Sequence, residues 1–224
     1  MVSDVEICNM GLQNIGAGQI SDLNERSPRA IQCKLRYENL RKAALESYLW
    51  NFAEKRADLA PTTATPNWGY SKEFSLPADF LRMVITQDEL DRGGCYSVSP
   101  VGFITLNCSF PLGDGYAIEA SADGLPVLRC NESEKRILYI FYNKNTETYP
   151  ALFVELLACM IGDALAPVVE ANSTLIDRNR ARLKDIQTLA QRVDAQQGTV
   201  QKRGGSTILD ARDAGGGYYP YARY

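Results

Sequence analysis

The apolar residues of this sequence follow a helical spacing at both ends of the chain and an alternating spacing in the middle. This order limits the fold more than any other feature. Apolar residues three and four positions apart predict helices over residues 3–14 and 27–60, and again over 149–165 and 172–197. Between these segments, short alternating runs separated by Gly-rich or Asp-Gly turns predict antiparallel strands. The sequence therefore predicts an α+β protein.

Local signals mark the ends of the predicted helices. Ser3 or Asp4 can cap the first helix, and Ser27 can cap the second, with Pro28 at the first helical position. Pro167 ends the third helix, which is apolar almost all round and is therefore predicted to be central. We expect the strands after the extended run at 70–76 to cover residues 81–86, 95–99, 102–107, 116–120, 125–130 and 137–143.

The second helix carries a broad apolar stripe. Ile31 and Leu35 belong to it, so both are expected to face the core. Arg41 falls on the opposite, charged face and is expected to be exposed. In the last helix the expected core face is formed by five residues, which are Ile176, Leu183, Ile186, Ala190 and Val193.

The domain organisation follows from this order of elements. Residues 1–66 and 149–198 form one helical bundle domain built from both ends of the chain. Residues 67–148 form an inserted antiparallel β-barrel or sandwich lobe. Residues 199–224 form an extended C-terminal tail, because the glycines in this stretch weigh against a self-contained fold.

Several classes of chemistry are excluded or disfavoured by the composition. The chain contains no histidine, so Ser-His and Cys-His nucleophile pairs and histidine metal sites are absent. No P-loop, G-x-S-x-G or G-x-G-x-x-G motif is present. The six cysteines are scattered without a C-x-x-C pair, and those in helical patterns are expected to pack as small apolar residues. Chemistry that uses carboxylates or lysine alone is the alternative that remains open, but no motif accompanies the acidic residues. We therefore expect no enzymatic activity, no cofactor and no metal.

The sequence also bears on compartment and partners. The acidic N-terminal residues do not resemble a secretory leader. The most hydrophobic segment, 152–165, is too short to span a bilayer and carries Glu155 and Asp163, so a buried helix is expected and no membrane partner. Scattered thiols fit a bacterial cytosol. A net charge of -3 argues against general affinity for nucleic acid, although it does not exclude a local basic patch.

Two segments are candidates for interaction. The last helix is basic, and four residues form its candidate channel or inter-subunit face: Arg178, Arg182, Lys184 and Arg192. This face is either a solvated surface or a surface that contacts an acidic neighbouring subunit or passing DNA. The tail carries eight candidate partner-binding residues, which are Ile208, Leu209, Arg212, Tyr218, Tyr219, Tyr221, Arg223 and Tyr224. The tail is either without a role, a platform for stacking single-stranded nucleic acid, or a segment that orders in a protein groove.

A resemblance to a known family extends this interpretation. The N-terminal part is similar to the tail tubular protein A family, the head-to-tail adaptors of podoviruses. The resembling positions there are Ile7-Cys8-Asn9, Leu12, Ile15-Gly16, Ser27, Ala30, Cys33, Tyr37, Arg41, Leu45, Trp50-Asn51-Phe52-Ala53, Arg56 and Leu59-Ala60. The run from Phe74 to Arg82 resembles the family's Leu-Pro-x-Asp-x-Leu-Arg element. Further likeness lies at Tyr149-Pro150, Phe153, Leu157-Ala158 and Leu165-Ala166.

The resemblance covers roughly residues 3–86 and 149–197, and it implies a mechanical function. A dodecameric ring of this chain would lie beneath the portal protein, join it to the tail nozzle protein and continue the channel through which DNA passes non-specifically. In such a ring we expect the tail, residues 199–224, to be the portal-binding segment. The chain would be made in the host bacterial cytoplasm and would reside at the head-tail junction of the virion. The alternative is a nucleic-acid-binding module that uses the basic last helix and the Tyr-rich tail.

Overall fold

The structure is a computed structural model, and it describes residues 2–87, 96–98, 104–106, 115–169 and 171–197. Within these residues the four helices are α1 (Asp4–Asn14), α2 (Pro28–Glu46), α3 (Ala151–Leu165) and α4 (Ser173–Ala195). The strands are β1 (Glu54–Leu59), β2 (Lys72–Ser75), β3 (Phe80–Thr86), β4 (Tyr96–Val98), β5 (Ile104–Leu106), β6 (Ala117–Ala120), β7 (Pro126–Cys130) and β8 (Lys135–Phe141). Two single-turn 3-10 helices cover Asn51–Ala53 and Thr146–Thr148. The chain is thus a mixture of helices and strands.

The helix starts follow the predicted capping signals. Ser3 caps α1 through a capping box, in which the Glu6 amide donates to Ser3 Oγ at 3.2 Å and the Ser3 amide donates to Glu6 Oε2 at 2.6 Å. Ser27 caps α2 ahead of Pro28. Asn172 caps α4. The predicted starts of these three helices are confirmed. They could be predicted because each cap depends only on neighbouring residues.

Helix α3 lies at the centre of the helical part and contacts α1, α2 and α4. Most of its residues are buried, as its apolar sequence predicts. Two glycines allow α1 and α3 to approach closely. A Cβ atom placed on Gly11 would lie 2.7 Å from the Ala158 carbonyl oxygen, and one placed on Gly162 would lie 2.8 Å from the Gly11 carbonyl oxygen. The helices from the two ends of the chain therefore share one tightly packed interface.

The strands form antiparallel sheets, and all of them except β1 lie at or close to predicted positions. One sheet has the order β1-β8-β3, a second has the order β2-β7-β6, and β4 pairs with β5 as a separate hairpin. Apolar side chains from both three-stranded sheets form one small core, which contains Leu59, Phe74, Met83, Leu128, Cys130, Ile137 and Tyr139. The strands that the structure describes do not close into a barrel, so a closed barrel is not found in this part of the chain.

The first sheet also packs against the helices. Val84 and Ile85 of β3 and Ile140 of β8 belong to the same buried cluster as the residues of α1, α2 and α3. A ladder of aromatic rings extends this cluster. Trp50 contacts Phe153 edge to face at a centroid distance of 5.2 Å, and Phe153 contacts Tyr149 at 5.0 Å. The helices and the first sheet therefore bury one common core.

The prediction that the second helix continues to residue 60 is wrong. Helix α2 ends at Glu46, and residues 54–59 form β1, which pairs with β8 along six residues. Two long side chains bind the end of the helix: Trp50 Nε1 donates to the Ala44 carbonyl at 2.9 Å, and Arg82 Nη1 donates to the Glu46 carbonyl at 2.9 Å. Residues 54–59 carry no alternating apolar signal of their own, so the sequence did not predict a strand there. They form one because they pair with the distant strand β8, which overrides the local helical preference.

The expected orientation of α2 is also wrong in part. Ile31 and Leu35 are 54% and 66% exposed, whereas Arg41 is buried with 2% exposure. The Arg41 guanidinium contacts Glu38 Oε1 at 2.5 Å, Asp4 Oδ1 at 3.6 Å and the Tyr142 hydroxyl at 3.1 Å. A buried charge requires such partners, and their positions on α1 and after β8 are not visible in the helix itself.

Candidate interaction interface

The four predicted basic residues of α4 are all exposed, but they do not form a single face. A residue advances about 100° around an α-helix, so Arg182 and Arg192 lie about 40° to either side of Arg178. Lys184 lies about 120° from Arg178. The structure therefore brings three of these residues to one side of α4 and places Lys184 on another.

Two of the arginines of α4 form ion pairs with acidic residues of α3. Arg182 Nη2 contacts Glu155 Oε2 at 2.7 Å, and Arg180 Nε contacts Asp163 Oδ1 at 2.6 Å. Both acidic residues belong to α3. Each of these pairs is partly exposed, so its contribution to stability is small, about 0.2–1 kcal/mol. The two arginines flank the buried stripe of α4 and fix its position on α3.

The outer surface of α4 has mixed charge. Asp177 and Asp185 are exposed on this helix among the exposed basic residues. Asp185 lies three positions after Arg182, which places it on the same side. A surface with alternating signs attracts phosphates weakly. The exposed surface of α4 is therefore not uniformly positive.

The predicted portal-binding residues of the tail lie outside the described residues. These are Ile208, Leu209, Arg212, Tyr218, Tyr219, Tyr221, Arg223 and Tyr224. The structure describes the chain up to Gln197, just past the C-terminal end of α4. Their role stays a prediction from the sequence.

Two exposed apolar pairs on the helices were missed by sequence reasoning. Ile31 and Leu35 form one pair on α2, and Leu189 and Val193, which are 49% and 39% exposed, form the other on α4. Each pair is four residues apart, so its two side chains are neighbours on one helix face. For the pair on α2, the sequence signal was the width of the apolar stripe, which is greater than one neighbouring helix can cover. Val193, which was expected to face the core, belongs to this exposed surface instead.

The β region carries its own exposed apolar residues. Leu125, between β6 and β7, is 65% exposed, and Trp68 is almost fully exposed. Trp68 borders a cleft with Glu119 and Arg129, in which Arg129 Nη1 contacts Glu119 Oε2 at 2.6 Å and Arg129 Nε contacts Glu73 Oε2 at 3.1 Å. The arginine is therefore held by two carboxylates in an ion-pair network.

Several residues that carry the family resemblance have structural roles. The Asn51 amide and its side-chain Nδ2 donate to the Asp194 carboxylate at 3.1 and 3.0 Å, which joins the 3-10 helix to the end of α4. Burial raises the pKa of Asp194 to about 6. Asp79 accepts hydrogen bonds from Lys55 Nζ at 2.8 Å and from the Tyr139 hydroxyl at 2.9 Å. Asn51 and Asp79 thus join elements of the fold that are distant in the sequence.

The cysteines in the described part of the chain are buried free thiols, and no metal-binding cluster is found there. Among the described residues, no group of three or more Cys, Asp and Glu side chains could hold a metal ion. Cys8, Cys33, Cys130 and Cys159 are buried free thiols, as expected for Cys8, Cys33 and Cys159 from their helical neighbours. A hydrogen bond with Cys33, together with burial, raises the pKa of the Cys8 thiol, and burial raises that of Cys159. Thiols with raised pKa values are poor nucleophiles.

Two comparisons with known proteins found no match. No model of a known protein family matches the sequence, and no curated protein matches it. Within the described ranges, none of the helices is both long enough and apolar enough to cross a membrane. The function is therefore inferred from the sequence and from the surfaces described above.

Proposed function

We propose that this chain is the subunit of a head-to-tail adaptor ring in a short-tailed bacteriophage. The ring lies beneath the portal protein, joins it to the tail nozzle protein and continues the DNA channel. Its role is structural and involves no catalysis. The resemblance to the tail tubular protein A family motivates this proposal, and the surfaces of α2 and α4 support it.

The observation that carries the proposal is the presence of exposed apolar pairs on two different helices. A closed ring is built from heterologous contacts, in which one surface of a subunit meets a different surface of the next. The pair Ile31 and Leu35 on α2 and the pair Leu189 and Val193 on α4 provide two such surfaces. Each of these side chains is about half exposed, so covering it stabilises an interface by about 1 kcal/mol, roughly half the value for a fully exposed leucine or isoleucine. The ring contact we propose therefore joins α2 of one subunit to α4 of the next.

In the finer arrangement that we propose, the helical bundle domain from both chain ends meets the portal. The inserted β lobe widens the ring or contacts tail components. The tail, residues 199–224, orders in a groove of the portal, because tyrosines bury a large area with little loss of rotamer entropy. A chain truncated after Gln197 would then assemble poorly on portal. Undiminished attachment of the truncated chain would refute this role of the tail.

A pair of matched leucines tests the ring contact. Leu35→Arg places a charge on the proposed interface, and Leu125→Arg places the same charge on an equally exposed leucine of the β region. Both residues are exposed, so both variants should fold normally. We expect Leu35→Arg to reduce the number of chains bound per portal in sedimentation, while Leu125→Arg binds as the unchanged protein does. Equal binding by the two variants would contradict the proposed contact.

The alternative function is a nucleic-acid-binding module. The pairing of Arg182 with Glu155 and the exposed Asp177 and Asp185 disfavour it. Binding of the isolated chain to a short DNA duplex, measured by fluorescence anisotropy at increasing salt, distinguishes the two. Tight binding that weakens steeply with salt would favour the nucleic-acid module. An adaptor that only encloses DNA would bind the duplex weakly at every salt concentration.

A further inference from the structure

The cleft beside Trp68 lies between the loop that joins β1 to β2 and one face of the second sheet. Its volume is about 390 Å³, and its lining includes residues of this loop, of β2, β6 and β7, and of the turn between β6 and β7. Phe74 and Leu128 of the same sheet belong to the buried core. Side chains alternate along a strand, so the neighbouring Glu73 and Arg129 lie on the opposite face. The cleft is therefore built on the polar face of the sheet.

The charge of this cleft is predominantly negative. Glu73, Glu119 and Asp123 contribute three carboxylates, and Arg129 contributes one guanidinium. The guanidinium is already bound, at 3.1 Å from Glu73 Oε2 and at 2.6 Å from Glu119 Oε2. Asp123 is exposed and forms no ion pair within the part of the chain that the structure describes. Three carboxylates against one guanidinium leave two negative charges in excess, so the cleft is complementary to a cation.

Trp68 adds a large aromatic surface at the same place. It is the most exposed of the large hydrophobic side chains in the described residues, with 87% exposure. Its loop is nevertheless anchored at both ends, because the Thr62 amide donates to the Glu73 carbonyl at 2.8 Å and the Ser71 amide donates to Asn131 Oδ1 at 3.0 Å. The indole therefore borders the cleft while burying almost none of its own surface. Tryptophans that a partner covers are among the residues that contribute most to protein interfaces.

We infer that this cleft binds an arginine side chain of a protein partner. The guanidinium stacks on the ring of Trp68, and its N–H groups donate to the carboxylates of Asp123 and Glu119. A planar cation suits this lining because it is attracted by the face of an indole and binds carboxylates through several donors at once. A nucleic-acid phosphate would be repelled by the excess negative charge. This inference rests on the cleft alone and goes beyond the adaptor role, so portal assembly and arginine binding can fail independently.

The two tryptophans of the chain provide a local readout with an internal control. Trp50 is buried and its Nε1 donates to the Ala44 carbonyl, so its indole signal should not respond to a ligand in the cleft. The capped tripeptide acetyl-Gly-Arg-Gly-amide is titrated into the full chain labelled with ¹⁵N, and the two indole N–H signals are followed by NMR. We expect a saturable shift of the Trp68 signal alone.

The same tripeptide with citrulline in place of arginine tests the charge. Citrulline has a neutral urea group of the same shape, and we expect this peptide to bind at least about fivefold more weakly. Equal binding of the two peptides, or no saturable shift of the Trp68 signal with the arginine peptide, would overturn the proposal.

Substitutions of two exposed aspartates provide the matched controls. Asp123→Asn removes a carboxylate from the cleft, and we expect the arginine peptide to bind about threefold more weakly. Asp177→Asn removes the same charge from α4 and should leave binding unchanged. Equal weakening by both variants would mean that only the net charge of the chain attracts the peptide, and the proposal would fall. A saturable shift of the Trp68 signal by the neutral disaccharide cellobiose, without one by the arginine peptide, would replace arginine with carbohydrate as the ligand.

Discussion

In the sequence pattern of α2, Arg41 falls on the charged face, where a substitution is expected to have little effect on stability. Because Arg41 is buried in the structure, replacing it with methionine should destabilise the protein more than that. Arg41 is buried, and its guanidinium joins α1, α2 and the segment after β8 through Asp4, Glu38 and Tyr142. It also lies over the rings of Tyr37 and Tyr142, at 5.1 and 5.3 Å from their centroids. Methionine preserves most of the apolar contact but removes the charge and every donor.

The cost follows from these contacts. A hydrogen bond to a charged partner contributes about 1.5–3 kcal/mol, and each cation–π contact adds about 0.5–1 kcal/mol. Two effects reduce the total: Asp4 and Glu38 are partly exposed and can regain water, and Arg41 Nε lacks a partner within the described residues. We therefore expect Arg41→Met to lower the free energy of unfolding by about 2–3 kcal/mol.

Urea denaturation followed by tryptophan fluorescence measures this loss, because Trp50 is buried and becomes exposed on unfolding. The control is Lys42→Met. Lys42 also lies over the Tyr142 ring, at 5.0 Å, but it is exposed, so its removal should cost less than about 0.5 kcal/mol. A difference below about 0.5 kcal/mol between the two variants would show that the buried guanidinium contributes nothing specific.

Two further changes test the packing and the buried acid. Gly11→Ala should destabilise the fold by about 1–3 kcal/mol, because the new Cβ would lie 2.7 Å from the Ala158 carbonyl oxygen, whereas Gly115→Ala, in open space, should be nearly neutral in the same urea assay. For Asp194, burial raises the pKa from 3.8 to about 6, so the folded state retains a proton that the unfolded state has lost. Stability should therefore fall by up to about 3 kcal/mol as the pH rises from about 4 to about 6. Asp194→Asn should flatten this dependence, and an unchanged slope in the variant would contradict the assignment.

Most of the elements could be predicted because their signals are local. Ser3 and Ser27 mark helix starts through bonds to residues three positions away. The alternating segments and Gly-containing turns place the strands to within a few residues. The central position of α3 follows from its composition, since a helix that is apolar all round requires cover on every side.

The failures occurred where distant residues decide the outcome. Residues 54–59 form a strand because β8 pairs with them, and β8 lies far away in the sequence. Arg41 is buried because Asp4 and Tyr142 are brought to it by packing, so its charge indicated exposure wrongly. The breadth of the apolar stripe of α2 indicated that part of it could stay exposed, but it did not indicate that Ile31 and Leu35 form that part.

The candidate site was predictable only as a basic helix. The sequence shows the arginines of α4 but not that α3 presents Glu155 and Asp163 to Arg182 and Arg180. The cleft beside Trp68 is likewise invisible, because strand pairing brings Glu73, Glu119 and Arg129 together from distant parts of the sequence. Contacts between helices and between strands create such groups, and the sequences of the single elements do not reveal them.

The adaptor role is tested most directly by the mass of the cognate portal protein, measured by light scattering with and without an excess of this chain. If the chain forms a closed ring on the portal, the mass should rise by about one 224-residue chain per portal subunit and then saturate. If the portal mass stays unchanged while the chain binds a short DNA duplex in a strongly salt-dependent way, the adaptor role is contradicted.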